Sequence, residues 1–161
     1  MNASLLLANR FREVILNGTF VANTNLKEQL TGTSYLLATQ KTSELNTIAA
    51  LAQHLHYYVK GVLEVLQGGP LAVHDKDSFD FPPVNSQEQW EIFLNKFFTD
   101  AEHFAVLVEA LPEEKLDAVF VKEKYGDYRR NINAIIEHCY YHFGQIVMLK
   151  KLQEVNEDEK K

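Results

Sequence analysis

From about Arg129 to Gln153 apolar residues recur at intervals of three and four, the period of an α-helix with one buried side. At 100° per residue, Ile132, Ile135, Ile136, Cys139, Phe143, Ile146 and Leu149 fall on one face. His142 lies inside that face and His138 at its edge, beside Asn131 and Gln145, so a narrow polar stripe runs along an inward-facing surface. Residues four apart on a helix have Cβ atoms about 5–6 Å apart, close enough for two imidazoles to share one metal ion. The pattern is not the H-E-x-x-H of metalloproteases, because Cys139 stands where the general-base Glu belongs. Imidazoles buried without partners are costly, so these two need either hydrogen bonds or an ion.

Three further long patterns of the same period precede it. The first runs from Ala3 to about Asn17, with Leu6, Leu7, Phe11, Val14 and Ile15 on one side. The second runs from about Asn46 to Gln67, capped by Ser43 or Asn46 and stopped by Gly68-Gly69-Pro70. Ser86, with Gln89 three residues on, has the spacing of a capping box and opens the third, which runs to about Leu111. Shorter helical pieces are expected at Leu26–Leu30, Tyr35–Lys41 and Pro112–Leu116, and an extended piece at Phe120–Gly126. The expected architecture is a single all-α domain over residues 1–154, a four-helix bundle, followed by a charged, disordered tail over 155–161. The loops between the first and second and between the second and third long helices are long enough for crossovers. Residues 71–85 read as an ordered loop across the bundle end, because Phe79 and Phe81 need cover.

Composition narrows the partners. The formal net charge is −6 and the basic residues are scattered among acids, which argues against nucleic acid or an anionic membrane as partner. No apolar run approaches the ~18 residues of a membrane-spanning helix. With one cysteine, Cys139, no internal disulfide can form, and a reducing, cytoplasmic setting is expected. Cys139 sits in the middle of the apolar face and reads as an inert buried thiol. Phe93, Phe97, Phe98, Phe104, Tyr140 and Tyr141 are more aromatics than a bundle of this size is expected to bury, which suggests a homodimer.

A third metal ligand has several candidates. His54 and His56 lie at opposite edges of the second long helix's apolar face, and periodicity does not choose between them. His103 and His74 are also available. The stretch Ile48-Ala-Ala-Leu-Ala-Gln-His54-Leu55, joined to His138-x-x-x-His142-Phe-Gly-Gln145-Ile146, resembles the DinB/YfiT-like family of metal-binding four-helix bundles. The likeness extends in layout from about Thr19 to Leu152, and Val21–Leu30 looks like a branch without a known reaction. The resemblance implies that His54, His138 and His142 are the ligands and that His56 is not. Three imidazoles leave a coordination position open, the pattern of a catalytic rather than a structural site. They suit zinc, nickel, iron or copper, of which zinc or nickel is the expected ion. Gln145, Asn131 and Tyr58 are candidates to orient the rings, and Asp75, Asp77 or Asp80 could supply a carboxylate.

What the resemblance implies for function is a metal-dependent enzyme, a hydrolase or a thiol-dependent transferase or isomerase. A low-molecular-weight thiol would fill the open position and act as the thiolate on a small-molecule electrophile. No catalytic residue beyond the ligands is legible. The alternative is a non-enzymatic, stress-associated binding or dimerisation protein whose histidines are structural.

Overall fold

The computed structural model describes residues 2–158, and among these the chain is all-helical. Seven α-helices occur in the order α1 (Ala3–Ile15), α2 (Leu26–Thr31), α3 (Tyr35–Thr39), α4 (Ile48–Leu66), α5 (Gln87–Glu109), α6 (Glu113–Leu116) and α7 (Tyr128–Asp158). The extended piece expected at Phe120–Gly126 reduces to an isolated antiparallel bridge between Val119 and Asp127 around a 3₁₀ turn at Glu123–Tyr125. No helix among the described residues is long and apolar enough to cross a membrane.

Local chemistry sets the helix ends. Asn2, Asn25, Ser34, Thr47 and Ser86 each accept a backbone N–H of the following first turn, satisfying donors that the helix itself leaves free. The cap of α4 is therefore Thr47, neither Ser43 nor Asn46. At its other end Gly68 adopts φ 88°, and the N–H groups of Gly68 and Gly69 turn back onto the carbonyls of Val65 and Glu64. That left-handed exit suits glycine and ends the helix. Asp127 starts α7 earlier than its apolar pattern suggests, its carboxylate accepting the Arg130 N–H at 2.7 Å. The helix continues to Asp158, so it takes in residues 155–158 of the expected tail; residues 159–161 lie outside the described residues.

The four long helices pack as a closed ring. α1 lies against α5 and α7, and α4 lies against the same two, which sets α1 diagonal to α4 and α5 diagonal to α7. The chain must therefore cross the ring twice. It does so between α1 and α4 through α2 and α3, and between α5 and α7 through α6, which rests on α1 and α7. The link between α4 and α5 joins neighbours, so its length is not needed for connection.

Buried Phe11, Leu55, Trp90, Phe97, Phe104, Ile132 and Ile136 fill the interior. Phe11 and Phe104 meet with ring centroids 4.3 Å apart. Trp90 donates its indole N–H to the Thr33 carbonyl at 2.8 Å and so ties the first crossing down. The fold absorbs most of the aromatics that suggested a dimer: Phe97, Phe98 and Phe104 are buried, Phe93 and Tyr140 half-buried, and of the six only Tyr141 is exposed, at 64%.

Replacing Phe104 by Ala should lower the unfolding free energy by about 3–5 kcal/mol in urea titrations. Ile92→Ala, on the exposed side of the same helix, should change it by less than ~0.5 kcal/mol. Equal effects would show that the buried face is assigned wrongly.

Candidate metal centre

Packing of α4 against α7 brings His54, His138 and His142 together, with donor nitrogens all within 4.8 Å of one another. The rings meet edge to face at centroid distances of 4.6–4.9 Å. His54 Nε2 and His138 Nε2 are 3.1 Å apart. A tetrahedral ion with Zn–N bonds of about 2.0–2.1 Å holds its ligand nitrogens about 3.3–3.4 Å apart. Closing the trio on such an ion thus takes side-chain adjustments on the order of an ångström.

The outer nitrogens of two rings are already engaged. His54 Nδ1 lies 2.9 Å from the Ser78 carbonyl, which can only accept, so Nδ1 carries the proton and Nε2 presents a lone pair. His142 Nδ1 donates in the same way to Gln145 Oε1 at 2.7 Å, and its Nε2 makes no hydrogen bond among the described residues. These are the bonds that fix tautomer and ring orientation in metal-binding histidines. Two lone pairs pointing at a shared space, one of them with no protein donor, fit a divalent cation. His54, His138 and His142 are the residues that would hold it.

The loop between α4 and α5 closes the site. Phe79 stacks on His54 at 4.1 Å and 11°, and Tyr58 meets both His54 and His138 edge-on at 5.0 and 4.9 Å. The Tyr58 hydroxyl donates to Asp75 Oδ1 at 2.8 Å, and the His74 N–H donates to the Tyr57 hydroxyl at 2.9 Å. Gly61 faces Val73 so closely that a Cβ there would collide with the valine, so the missing side chain lets the loop lie on α4. Beside the trio lies a cleft of about 690 Å³, of ordinary ligand-pocket size, with His138, Tyr58 and Asn131 in its wall.

All three rings are held neutral. Burial lowers the His54 pKa, against the opposing pull of the Ser78 carbonyl and the Asp75 charge. Burial also lowers His142, partly offset by Gln145. His138 is pushed down to about 4, by burial first and then by repulsion from His142 and His54.

The other residues singled out in the sequence lie elsewhere. His56 points from the opposite edge of α4 toward α5, where it pairs with Asp100 at 2.7 Å and packs on Phe93 and Phe97. His103 contacts Gln67, and His74 sits in the loop. Asn131 spends its amide N–H groups on the carbonyls of Tyr125 and Asp127, so it shapes the start of α7 and makes no hydrogen bond to a histidine among the described residues. Neither Asp77 nor Asp80 joins the trio. Cys139 is buried, and burial raises its thiol pKa far above the usual range. Ser78 is the residue that sequence reasoning missed. Its backbone carbonyl makes the bond, and no side-chain pattern announces a carbonyl.

No protein-family model, curated protein or solved structure matches the chain.

The lowered imidazole pKa values have a stability consequence of definite sign. Between the ordinary histidine value of 6.5 and about 4, the unfolded chain binds protons that the folded His138 refuses. Metal-free protein should therefore lose stability as pH falls through that window and level off below it, as read by urea midpoints. His138→Gln should make that limb shallower, with His54 and His142 still contributing in the same direction; an unchanged profile would mean that His138 is not one of the titrating groups.

Proposed function

We propose that this chain is a metal-dependent small-molecule enzyme of the DinB/YfiT type, a four-helix bundle holding one divalent ion, zinc or nickel, on His54, His138 and His142. The observation that carries this reading is the pair of Nδ1-protonated rings, His54 and His142, aiming bare Nε2 atoms into one space beside a ligand-sized cleft. Three protein ligands leave a position for a water or a substrate donor, and a bound ion supplies Lewis acidity there, lowering the pKa of whatever donor takes it. Ser78 and Gln145 orient the rings, Phe79 shields one of them from water, and the cleft receives the organic part of the substrate. A thiol-dependent transferase fits this layout: activation of the thiol is what an ion held by the three histidines would supply, and the chain's own residues would then position the substrate. Cys139 does not serve as a nucleophile here, since it is buried and burial raises its thiol pKa.

A second reading has its own observation. At 3.1 Å, His138 Nε2–H can donate directly to His54 Nε2, which gives a metal-free bond between the two rings. In that case the histidines are structural and the protein is a binding module.

Metal stoichiometry separates the two. Protein without a His-tag, reloaded with zinc or nickel and desalted, should retain about one ion per chain. His54→Ala and His142→Ala should lose it while keeping their helical circular dichroism, because the apolar faces do not depend on the ion. His56→Gln should retain it. The loaded protein should also accelerate conjugation of a small thiol with an electrophile, and chelation should abolish that rate. Failure of the parent chain to hold any divalent ion would favour the structural reading.

A further inference from the structure

The cleft beside the histidines carries one fixed charge, and it belongs to Asp75. Asp75 opens the 3₁₀ turn Asp75–Asp77. Its backbone carbonyl accepts the Ser78 hydroxyl at 2.7 Å, and Ser78 in turn holds His54 through its own carbonyl. Its side-chain Oδ1 accepts the Tyr58 hydroxyl at 2.8 Å, while Tyr58 packs edge-on against His54 and His138. The carboxylate is thus pinned from two directions, by the loop and by α4, and both Asp75 and His138 line the same cleft. Its second oxygen makes no hydrogen bond or ion pair among the described residues and is available to a ligand.

The rest of the wall differs in character. Val62, Leu71, Val73, Phe120 and Ile135 offer apolar surface. Lys76 also lines the cleft and is the charge that competes with Asp75. Lys76 makes no ion pair among the described residues and moves on a long flexible stem, so ordering it around a ligand costs entropy that the pinned carboxylate does not lose.

We propose that the cleft takes a small organic molecule with an apolar body, whose donor end lies at the histidine trio and whose second polar group, an ammonium or other hydrogen-bond donor, is recognised by Asp75. This rests on the metal reading above and adds a substrate class to it: a cationic or donor-bearing compound in preference to an anionic one of the same shape. The absence of any arginine from the cleft wall is in keeping with that choice, since carboxylate and phosphate recognition favours a bidentate guanidinium.

The probes are three para-substituted benzyl mercaptans bearing an aminomethyl, a methyl or a carboxylate group. The rigid ring keeps the second group away from the ion that the sulfur addresses. Calorimetric titration of zinc-loaded full-length protein should show the aminomethyl compound binding about three- to fivefold more tightly than the methyl compound, the gain expected of a partly exposed charge pair, with the carboxylate weakest. Asp75→Asn, at an exposed position, should keep its zinc and bind the aminomethyl and methyl compounds equally. Tyr58→Phe, which unpins the carboxylate, should give an intermediate preference. A preference that survives in Asp75→Asn, a carboxylate that binds tightest, or zinc-loaded protein that binds none of the three would each overturn the inference while leaving the metal site standing. A chain that takes up no zinc would overturn both.

Discussion

Three neutral imidazoles share a space less than 5 Å across at the seam of α4 and α7, and their lone pairs cannot all face one another without a cation or a proton between them. Burial keeps protons out, which is why each ring resists charging, and His138 is pushed down further by repulsion from both of the other rings. The surroundings are arranged to maintain this condition. Ser78 and Gln145 each remove one nitrogen from contention, so that the ring nitrogen left over points inward. The stacked Phe79 stops the His54 ring from turning toward solvent. An electrostatic problem of this kind is a cost in a metal-free protein and an asset once a divalent ion is bound.

The rest of the fold can be understood as support for that seam. The ring of four long helices buries its apolar faces without help from the histidines, so the site sits on a rigid scaffold. The two diagonal crossings use short helices that pack against the ring. The link between α4 and α5 crosses nothing, yet it is the one that carries Ser78, Phe79 and Asp75 to the histidines. A connection longer than its geometry requires is usually functional. Gly61 serves the same end, because the space left by its missing side chain is where Val73 of that loop rests.

The helical class and the long helices were legible because their apolar positions repeat every 3.6 residues over many turns; Ile132 to Leu149 reads as one face and is buried as one face. The inward placement of His138 and His142 followed from the same wheel. The partner on α4 did not. His54 and His56 sit symmetrically about Leu55, and what separates them is what each edge meets: α7 and the loop on one side, Asp100 of α5 on the other. That is information about helix neighbours, which periodicity within one helix does not hold. The resemblance in sequence pointed to His54, and the structure places His54 with the other two. Asn131 was misjudged for a related reason: it lies on the correct edge of α7, but one turn too close to the helix start, where backbone carbonyls claim its amide. The aromatic count is a poor guide to exposed surface, because it takes no account of how much the chain covers by itself: Phe98 is buried, and Phe104 is enclosed against Phe11 of α1.

If His54, His138 and His142 together bind one ion, the bond lengths and neighbours of that ion can be read by X-ray absorption at the zinc edge of the desalted, zinc-loaded wild-type protein. The expected result is stoichiometric zinc with a first shell of nitrogen and oxygen at about 2.0–2.1 Å and the outer-shell scattering of three imidazoles. A hydrated shell without imidazole scattering, or a protein that keeps no zinc after desalting, would contradict it.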